Sequence, residues 1–138
     1  MMTDFRFRRE ERLKSRKTIQ SLFSGAKTIG QFPLLLLWKE VTDPENPEPA
    51  RQKYPVQFTA SASKRNFKKA VDRNFLKRRI REAYRLNKHH LYQGLNNQEQ
   101  AFAFMVIFTG KNLSDAPKIE HAIKKIIQKF IDQQNRQK

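Results

Sequence analysis

Apolar positions along the chain cluster in blocks separated by polar or proline-rich stretches, and the spacing within each block predicts its element. Ile19, Leu22 and Phe23 recur at helical spacing, with Ser15 placed to cap a short helix and Gly25 to end it in a left-handed conformation. Residues 34–38, LLLLW, are a continuous apolar run behind Pro33, too short for an independent helix and suited to a strand buried on both faces. Residues 56–62 alternate as a second strand, with Val56, Phe58, Ala60 and Ala62 on one side and Gln57, Thr59 and Ser61 on the other. A helix follows directly. On a wheel of about 100° per residue, Leu76, Ile80, Ala83 and Tyr84 gather in one arc, the side that should pack on the sheet. Asn74, Lys77, Arg78, Arg81, Arg85 and Lys88 gather in another, while Val71 and Phe75 fall beside Lys68 and Arg79. After a polar break at 94–100, residues 101–108 read as a third, buried strand. Ser114, Asp115 and Pro117 open a last helix in which Ile119, Ala122, Ile123, Ile126, Ile127, Phe130 and Ile131 recur at three-and-four spacing.

The order helix, strands, helix, strand, helix predicts an α+β fold, a two-layer sandwich built on a single mixed sheet. Its length of 138 residues suits one domain over 1–138. Within it, 1–11 is expected to be a flexible basic leader and 135–138 a frayed tail. Residues 42–55 hold four of the six prolines together with Asp43, Glu45 and Glu48, and are expected to form an exposed loop away from any polyanion.

Charge changes the picture from fold to partner. The chain carries 29 Lys and Arg against 13 Asp and Glu, a formal net charge of +16. The excess concentrates in 64–88, where eleven cations meet only Asp72 and Glu82. Such a helix repels itself unless a polyanion lies against it, and a strip of cations on a rigid rod can follow successive phosphates. An RNA-binding domain is therefore expected. Phe75, among the arginines, is either an exposed platform for a base or a packing contact at the helix edge.

The catalytic inventory is thin. There is no cysteine, which excludes disulfides, thiolate metal sites and cysteine nucleophiles. His89 and His90 are neighbours whose side chains are expected to point apart, and His121 has no evident partner, so no metal site is expected. Gly25, Gly30, Gly94 and Gly110 are too scattered for a phosphate-binding loop, and the acids sit outside any two-metal arrangement. No catalytic residue is assigned to this chain. The absence of an apolar leader or a membrane-length run leads to the expectation of a cytoplasmic protein without membrane contact.

Residues 69–82, KAVDRNFLKRRIRE, closely resemble the signature of the protein subunit of bacterial ribonuclease P, K-A-V-x-R-N-R-x-K-R followed by R-E. The stretch 12–27, RLKSRKTIQSLFSGAK, also looks like that family's opening helix. Three positions depart from the pattern: Phe75 stands where the family has Arg, Lys68 where it usually has Gly, and Ile19 where it commonly has Phe. The resemblance implies an endoribonuclease holoenzyme in which the RNA subunit is the catalyst. It removes the 5′ leader of precursor tRNA with Mg²⁺ held mainly by RNA and substrate, and one protein accompanies each catalytic RNA. It further implies that Lys64, Arg65, Lys68, Lys69, Arg73, Asn74, Lys77, Arg78, Arg81 and Arg85 contact RNA from the basic helix. Ile19, Phe23, Phe32 and Phe58 are then candidates for a leader cleft, with core packing the competing role for each Phe. A ribosomal or general RNA-binding protein, and a metal nuclease in its own right, are the alternative readings.

Overall fold

The computed structural model describes residues 6–41, 55–95 and 101–136. The chain folds as α1 (Arg16–Leu22), β1 (Lys27–Gln31), β2 (Leu34–Glu40), β3 (Val56–Ala62), α2 (Ala70–Leu95), β4 (Phe102–Phe108) and α3 (Ile119–Arg136). The four strands form one sheet in the order β1-β2-β4-β3. β1 pairs antiparallel with β2 and β2 with β4, whereas β3 lies parallel to β4, so that α2 is the crossover between two parallel strands. The sheet is mixed, as expected, but has one more strand than the apolar pattern shows. β1 buries only Ile29 and is otherwise an exposed edge, which leaves no apolar run to read.

α2 and α3 cover one face of this sheet. Leu76, Ile80, Ala83 and Tyr84 are buried against it, as are the Ile119, Ala122, Ile123, Ile126, Ile127, Phe130 and Ile131 stripe of α3 and alternate residues of all four strands. Full burial of a Leu or Ile side chain is worth about 1.5–3 kcal/mol, so α2 is fixed in rotation by this arc. α1, capped by the Ser15 hydroxyl, which accepts from the Thr18 amide at 3.2 Å, lies on the opposite face. There Leu22 meets Leu37, Ala103 and Met105. Gly25, at φ 109°, turns the chain from α1 into β1.

Several boundaries differ from the periodic reading. α2 begins at Ala70 rather than at the end of β3, because residues 64–69 form a turn whose Phe67 drops into the core against Phe108. It also continues through Gly94 to Leu95, into the expected polar break, since Leu91 and Leu95 prolong the buried stripe. Ser114, Asp115 and Pro117 lie in a 3-10 turn, Leu113–Lys118, that leads into α3. Asn135 and Arg136 remain helical where a frayed tail was expected. Of the acidic loop, 42–54 lie outside the described residues.

The expected flexible leader is the largest difference. From Arg6 onward it is a strap laid across β3 and the second half of α2. Phe7 packs on Phe58 and Tyr84, whose own rings stack at 3.9 Å, and the Leu13 amide donates to the Phe58 carbonyl at 2.9 Å. Glu11 is 0% exposed and Lys88 3%. The Lys88 ammonium donates to both Glu11 carboxylate oxygens, at 2.6 and 2.8 Å, and to the Arg6 carbonyl; the Tyr92 hydroxyl also donates to Glu11. Burial pushes the Tyr92 phenol well above the ordinary tyrosine range, with Tyr84 and Glu11 adding to the rise, so this donor keeps its proton. Lys88 is therefore not part of the outward cationic arc in which the wheel placed it: the strap covers that part of the helix.

Removing one member of a buried ion pair leaves the other without compensation, at a cost of about 3–5 kcal/mol. Chemical denaturation of Lys88→Ala should show a loss of that size, whereas Arg81→Ala, on the exposed part of the same helix, should stay within about 0.5 kcal/mol of the parent. Equal and small losses would mean that the strap is not anchored by this pair.

Candidate nucleic-acid interface

Because the apolar arc of α2 is committed to the sheet, the opposite arc must face outward. Asn74, Arg78, Arg79 and Arg81 are exposed and Lys77 half-buried. Lys64, Arg65, Lys68 and Lys69 are exposed too, but they belong to the turn before α2 and not to the helix itself. Among the described residues, none of the cations Lys64, Arg65, Lys68, Lys69, Lys77, Arg78, Arg79 and Arg81 has a carboxylate partner. Turn and helix together form a continuous cationic surface with little internal neutralisation, which is what a run of phosphates requires.

Two of the expected phosphate contacts are engaged within the protein. Arg73 donates from Nη1 to the carbonyls of Phe67 at 2.8 Å and Lys68 at 2.9 Å. It thereby ties the basic turn to the first turn of α2 and holds Lys64–Lys69-region cations in register with the helix, a positioning role for the residue that opens the R-N motif. Arg85 forms a two-bond fork with Glu82, at 3.0 and 2.6 Å. The hydrogen bond from Arg85 holds the Glu82 carboxyl below the usual carboxylate range, so this acid stays ionised and offsets part of the arginine's charge. The outward charge is thus centred on Lys77, Arg78, Arg79 and Arg81, in the first half of the helix.

The four cleft candidates are not brought together. Phe58 is 2% exposed and points to the α2 side of the sheet, stacked on Tyr84, so it is a core residue and presents no face to a ligand. Phe32 is exposed at the β1–β2 turn, next to a cis bond to Pro33, with the Lys118 ammonium 5.7 Å from its ring centre. It stands at the far end of the hairpin from α1. Only Ile19, half-buried on α1, and Phe23, exposed at the C-terminal cap of α1, lie near each other on the other side of the sheet. That face carries further residues that are not among the four cleft candidates. Strand register places Leu35 beside Ile107, and Ile107 beside Ser61, with Thr59 beside Met105. Leu35, Ile107, Thr59 and Ser61 are all only half-buried, forming a strip of apolar and hydroxyl groups that α1 leaves partly open. The polar side of the alternating 56–62 strand was the available signal.

His89 and His90 do not point apart: their rings lie 4.0 Å between centres, tilted by 39°. Partial burial, with His90 adding to it, lowers the His89 pKa from the ordinary imidazole value. No third ligand joins them, and among the described residues no group of three His, Cys, Asp or Glu is placed to hold a metal ion. Mg²⁺ prefers several oxygen ligands. Of the two acids on the first half of α2, Asp72 and Glu82, the second is engaged by Arg85. No helix among them is long and apolar enough to cross a membrane.

Comparison with known proteins converges on one family. Residues 7–131 match the model of the family described as Ribonuclease P. The ribonuclease P protein component of Porphyromonas gingivalis is 34% identical over 123 residues, 88% of this chain and 83% of the relative. That of Chlorobium phaeobacteroides is 40% identical over 86 residues, 62% of this chain and 56% of the relative. Among solved structures, a Staphylococcus aureus RNase P protein superposes with a TM-score of 0.59 at 19% identity, covering 86% of this chain and 93% of that one. A second structure from the same organism gives 0.56 at 20% identity, covering 93% and 94%. With the family match spanning residues 7–131 and a relative 34% identical over most of both chains, the chain belongs to the ribonuclease P protein family.

Proposed function

We propose that this chain is the protein component of a ribonuclease P, binding the RNA subunit through the turn and first half of α2 and holding the 5′ leader of precursor tRNA on the open sheet face beside α1. The observation that carries the reading is the row Lys77, Arg78, Arg79 and Arg81, outward on a buried rod, without carboxylate partners among the described residues and lying within the motif shared with the family. A single-stranded leader needs apolar or aromatic surfaces for bases and donors for its backbone. Ile19 on α1 and Phe23 at its C-terminal cap, with Leu35, Ile107, Thr59 and Ser61 on the sheet, offer both. Hydrolysis of the phosphodiester is assigned to the RNA subunit with its Mg²⁺, and this chain's part is to position substrate and to screen the repulsion between two RNAs. One protein per catalytic RNA suffices for that role.

Reconstitution tests the reading as a whole. Adding the protein to its cognate ribonuclease P RNA at low Mg²⁺ should raise the rate of leader removal from a precursor tRNA, and the protein alone should cut nothing. No stimulation, or cleavage without RNA, would contradict it.

The contact surface has its own test. Each phosphate contact released by mutation should flatten the slope of log affinity against log salt by about one. Arg78→Ala and Arg81→Ala should each do so with the fold intact, while a slope equal to the parent's would mark the side chain as merely solvated.

A further inference from the structure

α2 carries three large exposed apolar side chains, Val71, Phe75 and Leu86, and the first two stand one turn apart in its first half. Val71 is 75% exposed and Phe75, one turn later, 43% exposed. Single exposed apolar residues are ordinary on protein surfaces. These two adjoin on one helix face and are ringed by charge: Lys68 precedes them, and Arg78 and Arg79 follow Phe75 by three and four positions, the spacing of side-chain neighbours on a helix. Among the described residues, Phe75 makes no ring contact with another aromatic side chain. An apolar platform inside a positive field suits a ligand that joins a flat apolar group to a nearby anion, and a nucleotide is built in that way.

We infer that Phe75 is a stacking platform for an unpaired base of the partner RNA, with Arg78 and Arg79 on the phosphates beside that base. The inference rests on the RNA-binding reading above and adds the mode of contact at this position. Three residues along the helix span about 5 Å, so ring and guanidinium can engage adjacent parts of one strand. Where the family pattern has an Arg in the R-N-R stretch, a cation contributes to the counterion-linked part of binding. Phe75 contributes to a part that salt does not screen. The chain therefore exchanges one phosphate contact for one base contact, and acquires at this point a requirement for an unpaired base.

The test compares two polyanions, the cognate ribonuclease P RNA and heparin, which has no bases. Phe75→Ala should weaken RNA binding about 5- to 150-fold, the range expected for loss of one base–aromatic stack. The log-salt slope should stay unchanged, as should the affinity for heparin and the thermal midpoint of the free protein. Phe75→Arg should steepen the RNA slope by about one and raise heparin affinity. Phe75→Trp should keep RNA affinity and show quenching of the new indole by RNA and not by heparin; the native Trp38 is buried and supplies the reference emission. An unaltered RNA affinity in Phe75→Ala, or equal losses for RNA and heparin, would overturn the stack. If Arg81→Ala still flattened the RNA slope in that case, the RNA-binding reading itself would stand. A parent protein that bound heparin and not the RNA would overturn both.

Discussion

The structure turns on a conflict within one helix. α2 must bury an apolar arc against the sheet while presenting a row of cations with almost nothing to neutralise them. The first requirement is met by Leu76, Ile80, Ala83 and Tyr84, all buried, and it fixes the rotation of the rod. The second then follows without further choice, because side chains about half a turn away have only solvent to face. Like charges at helical spacing weaken a helix, so packing must supply what the charged face takes away. A surface that is unfavourable in the free protein becomes favourable once phosphates arrive, and the same residues serve fold and partner from opposite sides.

The strap shows how local context changes the role of a side chain. Lys77, Arg81 and Lys88 lie within a narrow arc of the same helix, yet the first two remain outward and Lys88 is buried on Glu11. The difference comes from Arg6–Arg12-region backbone crossing the second half of α2, anchored by Phe7 and Glu11. Its effect is to confine the outward charge to the first half of the helix, adjoining the basic turn that Arg73 ties down. The cationic surface is thus compact and contiguous, instead of being spread along a 26-residue rod.

Much of this was legible in the chain because strong periodicity reports burial. The α3 stripe, the apolar arc of α2 and the covered side of 56–62 all sit where spacing places them. What periodicity does not carry is the identity of the neighbour. Val56 and Phe58 alternate correctly, but alternation does not say whether the covered side meets α2 or faces the α1 side, so it leaves Phe58 open between cleft and core, and stacking on Tyr84 decides for the core. Ile29 alone in a polar strand gives no alternation to detect, so β1 is defined only by pairing with β2. Glu11 and Lys88 are 77 positions apart, and nothing local in either segment announces their pair. The cationic row itself was legible both as composition and as motif; its division into outward, positioning and buried members required the tertiary structure.

Among the described residues the outward cations of α2 have no carboxylate partner, and their mutual repulsion weakens the free protein. The direct measurement is the unfolding free energy of the free protein across a range of sodium chloride concentrations. Screening acts within a Debye length of about 10 Å at 0.1 M salt, so relief of repulsion between the exposed Lys and Arg side chains should raise stability as salt increases. The Arg81→Ala variant should show a weaker rise. Stability that fell with added salt would mean that attractive ion pairs within the protein dominate its surface, and would contradict the account.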